Sequence, residues 1–161
     1  MGVFIAATLA ALRPELACAA VFLGIVPDAP ARPGQNHLVD DIVAAGAVSD
    51  DLVASLLRSW FGGGRPQRGA DRALRETPPD ILVASARACL EGVPPSASYG
   101  IAAPIDVIVG SEDRARSPEQ IDAYVAKVGA RSARLEGVGH LPHWERPAVV
   151  GARIGEIARA C

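Results

Sequence analysis

A chain of 161 residues, half of them apolar, with 18 acidic against 16 basic side chains, carries enough hydrophobic material for one globular domain with its own core, which excludes intrinsic disorder. Its arginines are scattered instead of clustered, so the expected partner is a small molecule and neither nucleic acid nor an anionic membrane surface. Cys18, Cys89 and Cys161 lie far apart, with no C-x-x-C pair or His cluster beside them; no metal site or disulfide framework is indicated, and the expectation is reduced thiols in a cytoplasmic protein, with Cys18 and Cys89 as small buried hydrophobes.

Residues 3–12 (VFIAATLAAL) are helical in composition and apolar nearly all the way round, which predicts a helix buried on most faces. Neither a signal peptide nor a membrane span is expected, because no basic residue precedes the run and Arg13-Pro14-Glu15 cuts it well short of the roughly 20 residues that a bilayer requires. Ala19 to Val26 is a continuous apolar run of strand length, the pattern of a parallel strand covered on both faces. Pro and Gly over 27–34 then mark a loop.

Residues 37–60 and 78–91 show apolar positions three and four apart, as in amphipathic helices, with Ser49-Asp50-Asp51 and Pro78-Pro79-Asp80 as starting signals. The Gly62-Gly63-Gly64 stretch between them reads as a flexible linker; it is no phosphate loop, since no strand precedes it and no Lys-Ser/Thr follows. Beyond residue 100 the α/β rhythm resumes: strand Ile105–Gly110, helix Pro118–Val128, strand Ser132–Val138, helix Pro147–Ala160. The fold class is therefore α/β, with about three parallel strands, flanking helices and a helical insertion. The divisions are 1–34 (core), 35–100 (insertion) and 101–161 (core).

Catalytic groups of a parallel α/β sheet gather where its strands end. After Gly110 comes Ser111-Glu112-Asp113-Arg114, and after Val138 comes Gly139-His140-Leu141-Pro142-His143-Trp144-Glu145. A carboxylate that holds an imidazole in one tautomer is what a serine-type nucleophile requires of its base, so Asp113 and His140 are the candidate pair. Asp28, after the first strand, is the alternative acid, and His143 is read as structural. Ser111 and Ser117 are not substitute nucleophiles, because neither sits in a G-x-S-x-G turn. Trp60, Phe61 and Trp144 are candidates for an apolar acyl pocket or for core packing.

The segments APIDVIVGSEDRARSPEQ and ARLEGVGHLPHWERPAVV together resemble the C-terminal region of α/β-hydrolases, in which G-x-x-D supplies the acid and G-x-G-H the base. MGVFIAATLAALRPEL resembles the helix that follows the nucleophile elbow in the same family. Leu56 to Phe61 and Glu76 to Asp80 are similar to the cap of 3-oxoadipate enol-lactone hydrolases, so the insertion corresponds to a helical cap. The resemblance implies a hydrolase of carboxylic esters or enol-lactones that uses no cofactor, with Asp113 as acid, His140 as base and the Met1 backbone N–H as an oxyanion donor. It also implies a nucleophile immediately before Met1, hence a chain truncated ahead of its own nucleophile. The competing expectation is a non-catalytic module that forms homo-oligomers through an exposed sheet edge.

Overall fold

The computed structural model describes residues 2–27, 44, 48–91 and 95–161, apart from the side chains of 89–91 and 95. In chain order the elements are α1 (Gly2–Leu12), β1 (Ala20–Leu23), α2 (Asp50–Trp60), α3 (Ala70–Glu76), α4 (Pro79–Glu91), α5 (Pro95–Tyr99), β2 (Ile105–Gly110), α6 (Pro118–Val128), β3 (Arg131–Leu135), α7 (Pro142–Glu145) and α8 (Pro147–Ala160). The three strands form one parallel sheet in the order β1-β2-β3. All six residues of β2 are buried, as a central strand with both faces covered requires.

On one face Ala20 and Phe22 of β1 and Ile105, Val107 and Val109 of β2 pack with Ala7 of α1 and Ile121 and Tyr124 of α6. Tyr124 buries its ring against Phe22 and Tyr99 and satisfies its hydroxyl by donating to the Ser98 carbonyl at 2.9 Å. Asp106 points to the opposite face with its side chain only 3 % exposed, and its two oxygens are shared between Arg131 of β3 and Arg153 of α8. This ion triad ties the last helix and the edge strand to the central one. Both arginines reach solvent, so the buried carboxylate is the member least able to lose its partners.

Among the described residues of 35–100, α2, α3, α4 and α5 are helical and no strand occurs. Ser49 caps α2, its hydroxyl accepting the Leu52 N–H at 3.2 Å. Val53, Leu56, Leu57 and Phe61 face Ala70 and Leu74 of α3 in a second apolar cluster. The expected helix before residue 48, apart from residue 44, which is helical, lies outside the described residues, as do the alternative acid Asp28 and the expected oxyanion donor Met1.

Two expectations are corrected. α1 buries Phe4, Ala7 and Ala10, but Ile5, Leu9 and Leu12 are at least half exposed, so the described residues cover only one of its faces. Its all-round apolar composition concealed that split. Cys18 and Cys161 are neither reduced nor buried: they form a disulfide across a sequence separation of 143, joining the approach to β1 to the end of α8. The thiol argument for a cytoplasmic setting therefore falls away. No helix among the described residues is long and apolar enough to cross a membrane.

Two outcomes follow. Reduction, or Cys161→Ser, removes a cross-link that restrains the unfolded chain and lowers stability by about 2–4 kcal/mol; an unchanged urea midpoint on reduction overturns the linkage. At the ion triad, the double change Arg131→Ala with Arg153→Ala destabilises more than Asp106→Asn, because it strands a buried charge. Equal midpoints for the two variants overturn that account.

Candidate functional site

The three parallel strands end on one side, and the loops beyond them are joined through their backbones. Ser111 N–H donates to the Leu135 carbonyl and Glu112 N–H to the Val138 carbonyl, each at 2.9 Å, so the loop after β2 is fastened to the loop after β3. The approach is close enough to dictate residue type. A Cβ on Gly110 would lie 1.9 Å from the Val138 carbonyl oxygen, and one on Gly139 would lie 2.5 Å from that of Trp60. Gly24, at the end of β1 with φ +71°, touches His140 in the same way, its Cβ position being 2.1 Å from the His140 oxygen.

These crossings place Asp113 against His140. The His140 ring Nδ1 lies 2.9 Å from Oδ2 of Asp113, whose side chain is 4 % exposed against 16 % for the imidazole. The other carboxylate oxygen, Oδ1, accepts the backbone N–H groups of Ala115 at 2.8 Å and Arg116 at 3.1 Å. Three donors thus compensate a nearly buried carboxylate and fix its plane. Because the carboxylate is an acceptor, the ring proton belongs on Nδ1 and the Nε2 lone pair is left for a partner. The arrangement can hold a proton acceptor in one orientation.

The remaining expected residues divide. His143 does not share the Asp113 contact; partial burial, and secondarily the neighbouring His140, hold its pKa below the ordinary histidine value. Ser111 has its hydroxyl committed to the Gly137 N–H at 2.9 Å, and Ser117 is bonded to Glu119. Phe61 is 1 % exposed and makes an edge-to-face contact with Trp144, centroids 6.1 Å apart. Trp144 is 37 % exposed, and Trp60 is half-buried. Among the described residues no group of three or more His, Cys, Asp or Glu side chains is arranged to hold a metal ion.

The Gly62–Gly64 stretch is not the free linker that its composition predicts. It is a 3-10 turn following α2, pressed against the loop that carries His140. His140 N–H donates to the Trp60 carbonyl at 2.7 Å, and Leu141 packs on the α2–α3 cluster. Two carboxylates grip the turn: Glu145 accepts the Gly62 N–H at 2.9 Å and Glu112 accepts the Gly63 N–H. Both glutamates were visible only as part of the two motifs, with no partner to suggest their use. The partner is a backbone 49 or 83 residues away, which side-chain pattern cannot indicate.

No protein-family model matches the sequence, and no curated protein matches it. Solved structures do. An enol-lactonase from Burkholderia xenovorans superposes with a TM-score of 0.84 at 18 % identity, over 99 % of this chain and 63 % of its own. A thermophilic esterase from Thermogutta terrifontis gives 0.77 at 17 % identity over 99 % and 62 %. A 2-hydroxy-6-oxo-6-phenylhexa-2,4-dienoate hydrolase from Rhodococcus gives 0.69 at 19 % over 99 % and 61 %. The chain thus spans less than two thirds of each of these structures, and they match its parallel sheet, its flanking helices and the order of its elements. It carries the C-terminal part of the α/β-hydrolase fold.

Proposed function

We propose that the chain supplies the acid and base of an α/β-fold hydrolase acting on a carboxylic ester or enol-lactone. The carrying observation is the 2.9 Å contact between Asp113 and His140 Nδ1, with the second oxygen of Asp113 already engaged by backbone. In this reading His140 Nε2 takes the proton of the attacking nucleophile and returns it to the leaving group, while Asp113 stays ionised and stabilises the imidazolium. The reading places the nucleophile one residue ahead of Met1 and one oxyanion donor on the Met1 N–H. Trp60 and Trp144, both partly exposed, are the surfaces offered to the acyl group, whereas the buried Phe61 packs edge-to-face with Trp144. The structurally similar enol-lactonase and esterase favour this substrate class.

A second reading rests on a different observation. Among the described residues β1 pairs only with β2, and Ile5, Leu9, Leu12 and Leu16 are exposed nearby on and after α1. Such an apolar edge favours association of two copies.

A nitrophenyl ester tests the first reading. The 161-residue chain is expected to show no turnover that depends on His140; turnover abolished by His140→Ala overturns the placement of the nucleophile. In a chain extended upstream through G-x-S, Asp113→Asn lowers kcat by about 10³–10⁴-fold, and wild-type rates in that variant overturn the acid assignment. Size-exclusion chromatography is expected to give a dimer at micromolar concentration if the edge is used, and a monomer argues against it.

A further inference from the structure

We infer that Glu145 is a positioning residue that makes the orientation of His140 depend on the seating of the helical insertion. The inference rests on the reading of His140 as the base. Glu145 closes α7, five residues after His140, and its carboxylate is divided between two backbone donors that belong to different parts of the fold. Oε1 accepts the N–H of Gly139 at 2.8 Å, in the loop of the base; Oε2 accepts the N–H of Gly62 at 2.9 Å, in the turn after α2. One rigid group therefore sets the spacing between the two backbones. That spacing has no slack, since a Cβ on Gly139 would lie 2.7 Å from the Gly62 nitrogen and one on Gly62 would lie 2.2 Å from the Gly137 oxygen.

His140 sits inside this clamp. Its own N–H donates to the Trp60 carbonyl at 2.7 Å, so Trp60 directly, and Gly62 through Glu145, hold the backbone of the base. The Asp113 contact fixes only one ring atom. Which way Nε2 points is set by the backbone from which the ring hangs, and that backbone is referred to the insertion through Glu145. Glu112, next to Asp113, grips Gly63 and gives the acid a parallel tie. Two ionised acceptors bound to N–H donors make charge-assisted bonds, stronger than the neutral bonds of an ordinary turn.

The chemistry demands a carboxylate. A glutamine has one acceptor and one donor, so it satisfies one of the two N–H groups and confronts the other with an N–H of its own. The test uses NMR on the full chain, comparing wild type with Glu145→Gln and Glu145→Ala. It reads amide exchange at Gly62 and Gly139 together with the ¹H–¹⁵N signals of the His140 ring, and protection of the β2 amides reports that the fold persists. In Glu145→Ala both amides are expected to exchange about 10-fold faster or more, which is what losing one charged hydrogen bond at each implies; in Glu145→Gln one of them does. In both variants the Nδ1–H signal shifts or broadens. If Glu145→Ala unfolds, the glutamine variant alone decides. Unchanged exchange at both glycines overturns the clamp, and faster exchange with an unmoved His140 ring overturns the positioning role. None of these readouts requires turnover, so failure of the hydrolase reading leaves them distinguishable.

Discussion

Backbone meets backbone at the C-terminal side of this sheet with no room for a side chain between, and the site depends on that constraint. At Gly110 the loop after β3 crosses the end of β2, at Gly139 it meets the turn after α2, and at Gly24 the end of β1 touches His140. Each crossing brings peptide groups into contact, where buried N–H and C=O groups must find partners, and they find one another or a carboxylate. The contact between Asp113 and His140 is thus a by-product of packing three chain segments at their minimum separation. A side chain at any of these glycines would force the crossing, and with it the backbone that carries the site, to shift.

Carboxylates do the joining in three places, and in each the geometry of two oxygens is exploited. Asp113 divides its oxygens between a turn and an imidazole, Glu145 between a loop and the insertion, and Asp106 between two arginines on separate elements. Glu145 with both oxygens, and Asp113 with one, face backbone N–H groups, which cannot swing away. The third faces flexible guanidinium groups and is structural. The distinction is one of rigidity: a site has to be held by donors that do not move.

Much of this was legible in the sequence, for physical reasons that can be named. β2 is an apolar run with one Asp, and α6 and α8 both open on proline, so strand and helix boundaries were marked by local chemistry. Asp113 and His140 were singled out by their places after two strand ends together with the resemblance of the motifs that carry them. What failed was whatever depends on distant segments meeting. Three glycines in a row read as slack, when at Gly62 the lack of a side chain lets the turn press against another backbone. The Cys18–Cys161 bond spans 143 residues and has no local signature. The split of α1 into covered and bare faces was hidden because Ala, Ile and Leu alternate around it without a polar stripe.

The two rims of the sheet differ in character. β3 is largely exposed and carries Arg131 and Arg134, each engaged with an acidic side chain, so its outer rim is charged and unsuited to receiving another strand. β1 presents an apolar rim with Val21 and Leu23 half-buried. Among the described residues, then, charge bars a further strand from the β3 rim, whereas the β1 rim keeps the apolar character that a neighbouring strand would match.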